Sequence, residues 1–286
     1  MSRLEWKFGE VRVVQVTENV IPMPVEAIFP GRTVEQVLAH KDWLFPHFID
    51  AEGQLLLHIQ SLLVESAGTR IVVDTCFGPE PPEDFAIGAV PGTKFLDDIA
   101  AAGFEREGVD LVVCTHLHVD HVGWHSMREG DRWVPTFPNA RYIVSAPALE
   151  VWQTHDPEET ASHGRREALD TVLDAGLVDA VPVDHRLTPE VRLLSTPGHT
   201  TGHVAVLIES GGERALVTGD LSHHPVQWAE RDWGQAADHD VAEAIRTREW
   251  IMEDYGDKDV TVIGSHYTGP VVGRLTKKDG GRFVAV

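Results

Sequence analysis

Apolar and polar residues change rhythm along the chain, and the changes mark out its elements. Val11–Thr17 is β-branched and partly alternating, Leu55–Glu65 is long and apolar-rich, and Arg70–Asp74 follows a turn signal at Ala67–Gly68. These read as strands, the last two as an antiparallel hairpin. Thr93–Ala102 shows helical spacing and stops at Gly103, a residue suited to a left-handed cap. Short buried strands are predicted at Asp110–Thr115 and Arg141–Ser145, a helix from about Pro147, and another over Arg165–Asp174. Strands follow at Val178–Val183, Val191–Ser195, His203–Ser210 and Arg214–Thr218. A helix over Val241–Tyr255 opens with Asp240 and Glu243 at capping-box spacing, and Val260–Gly264 is the last buried strand. Strands and then strand–helix units, run through twice, predict a layered sheet sandwich flanked by helices. No repeat or linker interrupts the pattern, so a single domain over 1–286 is expected. Two stretches lack periodicity. Val20–Gln54, rich in Pro and aromatics, reads as a substrate-pocket or dimerisation insertion, and a homodimer is the corresponding expectation; Phe77–Pro91 reads as a long loop.

The ends of the strands carry the chemistry. Leu111–Cys114 runs into Thr115-His116-Leu117-His118-Val119-Asp120-His121. In an extended segment residues two apart share a side, so His116, His118 and Asp120 can point together and a turn can bring His121 round. Imidazole nitrogen and carboxylate oxygen are ligands that zinc accepts. Three further strands end the same way: Ser195-Thr196-Pro197-Gly198-His199, Val217-Thr218-Gly219-Asp220 and Val262-Ile263-Gly264-Ser265-His266. Each is weak alone. Four apolar strands that each finish in His or Asp describe a site assembled at one sheet edge.

Composition narrows what such a site acts on. The chain has 24 basic and 45 acidic residues, a net charge of −21. That surface repels phosphate backbones, so nucleic acid is not an expected partner and a small molecule is. No apolar run reaches bilayer length, so no membrane partner is expected. The opening residues carry charges at Arg3, Glu5 and Lys7 with no apolar secretory core, and two cysteines make no disulfide framework. A cytoplasmic location is the resulting expectation.

The motif HxHxDH, then a distant His, an Asp and a His in that order, resembles the metallo-β-lactamase superfamily from about Val11 to Phe283. The resemblance implies a four-layer α/β fold, αβ/βα, with two mixed sheets flanked by helices and metals in the cleft between them. It implies that His116, His118 and His199 hold one metal, that Asp120, His121 and His266 hold a second, and that Asp220 bridges both. Two zinc ions per chain are the default, with manganese, cobalt or iron also compatible. HLHVDHVGW, GDLSHHPVQW and GSHYTGPVVGRL look most like the quorum-quenching lactonase and methyl parathion hydrolase-like branch. The implied activity is hydrolysis of a small-molecule ester, best a lactone, by a hydroxide shared between the metals. Asp120 would act as ligand and proton acceptor, and Asp220 as the bridge. The alternatives are an organophosphate or phosphodiester hydrolase and a glyoxalase II-like thioesterase. Acyl-homoserine lactonases carry Tyr three residues after the bridging Asp; His223 stands there, a candidate donor to the oxyanion or leaving group or else a support for the ligands. Among the aromatics near these motifs, Phe48, Trp124 and Trp228 are the expected pocket walls. Asp74, at the end of Ile71-Val72-Val73, reads as a supporting carboxylate, and His58 and His203, inside strands, as satisfied core or surface histidines.

Overall fold

The apolar runs are long because both faces of each sheet are covered. The computed structural model describes residues 3–81, 83–88, 90–154 and 166–286. The first sheet takes β1 (Glu5–Phe8), β2 (Val11–Met23), β3 (Leu55–Ser66), β4 (Thr69–Val73) and β5 (Leu111–Val113). A separate hairpin, β6 (Ser126–Glu129) and β7 (Arg132–Pro135), comes next, and β8 (Arg141–Ser145) and β9 (Val178–Val181) complete the sheet in the order β1-β2-β3-β4-β5-β8-β9. The second sheet runs in sequence order through β10 (Val191–Ser195), β11 (Val204–Ser210), β12 (Glu213–Val217), β13 (Thr261–Ile263), β14 (Val272–Thr276) and β15 (Arg282–Ala285). The helices are α1 (Val25–Ile28), α2 (Val34–Leu38), α3 (Lys41–Leu44), α4 (Lys94–Ala101), α5 (Val119–Val122), α6 (Ala146–Thr154), α7 (Arg166–Asp174) and α8 (Val241–Tyr255). Among the described residues no helix is long and apolar enough to cross a membrane.

Alternation along each strand sorts side chains into layers. Val13, Leu62, Val64, Ile71, Val73, Val113 and Ile143 point between the sheets and meet Val206, Ile208, Ala215, Val217 and Ile263. Their neighbours Val14, Leu63, Val72, Val112 and Val144 face the other way, under α4, α6 and α7. On the far side, Leu207, Leu216 and Val262 pack under Ile251 and Met252 of α8 and under Val37, Leu44 and Phe48. The result is the four-layer α/β sandwich, with two mixed sheets flanked by helices.

The early segment differs from its expected form. β2 does not stop at Thr17 but pairs with β3 as far as Met23, across a register shift between Thr17 and Asn19. The bulge breaks the alternation, so the pattern after it no longer reads as a strand. The remainder forms α1–α3, held over the second sheet by buried apolar residues. Thr93 and Gly103 bracket α4, with Gly103 at φ 92°. The predicted start of α7 at Arg165 lies outside the described residues. Asp240 caps α8 by accepting from the Glu243 backbone N–H at 2.9 Å.

Strand directions place the site. β10 and β12 both run antiparallel to β11, and β13 runs parallel to β12, so all three end at one edge. The Val204 N–H donates to the Thr115 carbonyl at 3.0 Å, joining the end of β5 in the other sheet to the same edge.

Candidate metal centre

Local backbone geometry presents each ligand. After β5 the chain stays extended to His118, whose ψ is 158°, and then closes into the single turn α5, which swings His121 back toward His116. The two rings lie 4.1 Å apart. Gly198 has φ 123°, and a Cβ there would sit 2.2 Å from the Ala244 backbone nitrogen of α8. Only glycine permits that approach, which fixes where His199 leaves its turn.

Three overlapping groups of ligand atoms result: His116, His118, His199 and Asp220; Asp120, His121 and His266; and Asp220, His223 and His266. Within each, the atoms lie within 4.8 Å of one another. Asp220 joins them, one oxygen to each side. Its Oδ2 is 3.5 Å from His116 Nε2 and 3.4 Å from His199 Nε2; its Oδ1 is 3.3 Å from His121 Nε2 and 3.0 Å from His266 Nε2. His118 Nδ1 meets His199 Nε2 at 2.9 Å. Asp120 Oδ2 is 3.6 Å from His121 Nε2 and 3.5 Å from His266 Nε2. All seven residues expected to be ligands therefore converge.

The residues behind them set the tautomers. His121 Nδ1–H donates to Asp74 Oδ2 at 2.8 Å. Thr115 donates its backbone N–H and its hydroxyl to the same carboxylate, so its oxygen is left to accept from His116 Nδ1–H at 3.1 Å. His266 Nδ1–H donates to the His58 carbonyl at 2.7 Å, and His199 Nδ1–H to Asp238 Oδ1 at 2.9 Å. Each bond occupies one nitrogen and turns the other inward, where it can offer a lone pair once it carries no proton, the arrangement metal-ligating imidazoles use. Asp74 thus stands behind the ligands. His203 is buried, and more than satisfied: Nδ1–H donates to the Thr196 carbonyl and Nε2 accepts from the Asp220 backbone N–H at 2.9 Å, fixing the central carboxylate. His58 supports through its backbone. Asp238 has no counterpart in the sequence reading, since nothing in Gln235–His239 is periodic or follows a strand. Asp238→Ala is expected to weaken metal binding on the His199 side by about 10–100-fold, measured by competition with a chelator.

Charge explains why a cation suits this place. Burial pushes the Asp220 carboxyl up, but His121, His266, His223 and His116 outweigh it and hold it well below the usual carboxylate range. Burial opposes charge on His121 and His266 too, yet Asp220 and Asp120 overcome it. His121 stays well above its usual value and His266 rises to about 9. His116 and His199, with burial and neighbouring imidazoles against them, are driven well below. The carboxylates hold protons on two buried rings, a demand for positive charge that bound cations meet while displacing those protons. Buried His116 Nε2, His121 Nε2 and Asp220 Oδ1 make no hydrogen bond among the described residues, and all face the shared centre. Unbonded buried polar atoms are rare, and these fit as ligand atoms.

His223 sits at the rim. Its Nε2 is 3.0 Å from Asp220 Oδ2, its ring stacks on His266 with centroids 5.4 Å apart, and its Nδ1 is buried without a partner among the described residues. His224, in contrast, is structural: Nε2–H donates to the Phe48 carbonyl at 2.8 Å and Nδ1 accepts from the Val226 N–H.

A cavity of about 210 Å³ opens onto Asp120, Asp220, His118, His223 and His266. Ile21, Met23, Ile28, Leu57, Ile59, Phe77, Phe85 and Val119 wall it, with Gln235 and Ala237. This corrects the expected aromatic walls, because Phe48, Trp124 and Trp228 are absent from the lining. Phe48 packs edge-on against Tyr267 and Phe283, Trp228 donates to the Tyr267 hydroxyl at 2.6 Å, and Trp124 stacks on Phe95 and donates to Glu18 Oε1 at 2.6 Å. Large rings here fill layers between elements, where burial is greatest.

Residues 56–266 match the Metallo-beta-lactamase superfamily. A probable metallo-hydrolase of Mycobacterium tuberculosis (strain ATCC 25618 / H37Rv) is 31% identical over 188 residues, 59% of this chain and 58% of its own length. An N-acyl homoserine lactonase of Bacillus sp is 28% identical over 131 residues, 46% of this chain and 45% of its own. The chain thus spans roughly half the length of these curated relatives. Among solved structures, AidC, a dizinc quorum-quenching lactonase in complex with a product, superposes with a TM-score of 0.83 at 20% identity over 99% of this chain and 97% of that one. AbOPH, a hydrolase in the beta lactamase superfamily, gives 0.80 at 21% identity over the same shares. At such identities the likeness speaks for the fold.

Proposed function

This chain belongs to the metallo-β-lactamase superfamily, and we propose that it is a metallo-hydrolase that cleaves a neutral small-molecule ester, best a lactone, at a pair of zinc ions. One observation carries the reading: the two oxygens of Asp220 turn to two separate imidazole sets at a cavity with largely apolar walls and, among the described residues, no Lys or Arg in its lining. His116, His118 and His199 would hold one ion, Asp120, His121 and His266 the other, with Asp220 between. When bound, such a pair supplies Lewis acidity and a nucleophilic water near neutral pH.

The chain's own residues do the rest. The apolar walls exclude bulk water and take the hydrocarbon part of the substrate. Among the described residues the lining offers no Lys or Arg to pair with a free carboxylate or phosphate, so a substrate carrying one would lose its hydration without a compensating ion pair. Asp120, with its side chain 18% exposed, is the most open of the carboxylates and reaches the cavity, so it accepts the proton released on attack. His223 lines the cavity beside Asp220 and serves as donor to the departing alkoxide. The lactonase names among the relatives and structural neighbours agree with this reading.

Rates on a γ-lactone, an aryl ester, a thioester and an aryl phosphotriester, measured with zinc-loaded protein, test it. The lactone or aryl ester is expected to lead in kcat/KM by at least about tenfold, the difference that 1.4 kcal/mol of transition-state binding makes. Turnover of the phosphotriester alone would overturn the assignment.

A further inference from the structure

We infer that Gln235 is a specificity-determining residue, whose side-chain NH2 donates a hydrogen bond to a second acceptor oxygen on the substrate, such as a ketone, amide or ether oxygen apart from the scissile group. The inference rests on the reading that the cavity receives a neutral ester.

Gln235 stands out among described walls that, His223 aside, are apolar or carry the expected metal ligands. Its amide orientation follows from chemistry. Gln235 Oε1 accepts a short hydrogen bond from the Ala237 backbone N–H, and a backbone N–H can only donate, so the atom facing it is the oxygen. The NH2 group is left, and it has no hydrogen-bond partner among the described residues. Gln235 is only 9% exposed and lines the cavity, and with its oxygen engaged the NH2 group is the part of the side chain left to donate to a ligand. A substrate oxygen placed there gains a hydrogen bond that an analogue without it does not.

The residue is also held in place from four directions. Its backbone N–H donates to Asp238 Oδ2 at 2.9 Å, and its carbonyl accepts from the Asp238 N–H at 3.0 Å. Asp238 is the carboxylate behind His199. The next N–H, of Ala236, donates to the Ile28 carbonyl at 2.9 Å, and Ile28 is itself a cavity wall. Below the loop the Trp233 carbonyl accepts from Arg248 Nη2 at 2.7 Å, and Arg248 is buried. One loop therefore orients a metal ligand and presents a polar probe to the cavity, in fixed relation to each other. Sites built to hydrogen-bond a substrate group discriminate strongly against analogues lacking it.

The test uses p-nitrophenyl 4-oxopentanoate and p-nitrophenyl pentanoate, esters of equal chain length that differ by one ketone oxygen. Wild-type zinc-loaded protein is expected to favour the oxo ester by about tenfold in kcat/KM, mostly through KM. Gln235→Glu keeps an oxygen for the Ala237 N–H but replaces the donor with an acceptor. It is expected to bring the preference to one or below at unchanged metal content. Gln235→Leu, which removes both groups, should abolish the preference without reversing it. A wild-type ratio near one, or a ratio that Gln235→Glu does not move, overturns the inference. Calorimetric binding of 4-oxopentanamide and pentanamide separates this from the functional proposal. If neither of these esters nor the γ-lactone is turned over, the proposed function fails. The role of Gln235 is then decided by whether the oxo amide binds more tightly and Gln235→Glu removes the difference.

Discussion

Asp220→Asn is expected to lower kcat/KM by on the order of 10³-fold, the loss seen when a charge-stabilising group is taken from a preorganised site, and to reduce bound metal to one ion or none per chain. Asparagine keeps the shape and one oxygen but surrenders the charge and turns two N–H donors toward one of the imidazole sets. Each oxygen of Asp220 serves a different set, so either amide orientation disables one side. The imidazoles of His121 and His266 also lose the carboxylate that raises their proton affinity most. Metal content and kcat/KM on the same preparation check this; a variant retaining a full complement of metal and wild-type turnover would contradict it.

Asp74→Ala is expected to cost both folding and metal. Asp74 is buried and accepts three hydrogen bonds, from the Thr115 backbone N–H, the Thr115 hydroxyl and His121 Nδ1–H. Truncation leaves three buried donors without an acceptor and places alanine at φ 57°, a left-handed conformation that Asp and Asn tolerate better. The expected loss is about 3 kcal/mol of stability, within the range for breaking a buried network, with metal affinity down by about 10–100-fold as His121 loses its orienting partner. Asp74→Asn keeps the backbone conformation and some acceptor capacity. It should recover most of the stability while metal affinity stays low. Thermal denaturation of the metal-free proteins and chelator competition read the two effects separately. Recovery of wild-type metal affinity in Asp74→Asn would mean that the carboxylate charge does not matter, and equal loss of stability in the two variants would mean that the remaining acceptor does not.

What the sequence disclosed and what it hid follow from locality. His116, His118, Asp120, His121, His199, Asp220 and His266 were legible because each follows an apolar run, and because strand direction carries such ends to one edge. The alternation that sorts Val13 from Val14, or Val206 from Leu207, lies within single strands and needs no tertiary knowledge. Past the bulge at Thr17 the alternation slips, so the second half of β2 and its pocket-lining Ile21 and Met23 looked like loop. The hairpin β6–β7 and the C-terminal strands β14 and β15 were too short or too polar to register. Asp238 and Gln235 matter through contacts with His199 and Ala237, and their loop is pinned to Ile28 through the Ala236 N–H, from 2 to more than 200 positions away in sequence, which no local pattern encodes. Phe48, Trp124 and Trp228 were drawn toward the pocket by nearness in sequence to the motifs, whereas size and burial placed them in the layers.

Anomalous diffraction from zinc-loaded crystals addresses the centre of this account. Two peaks are expected per chain, one among His116, His118 and His199 and one among Asp120, His121 and His266, with Asp220 between them. A chain that shows no peak there at neutral pH, or whose only zinc lies elsewhere on the surface, would contradict it.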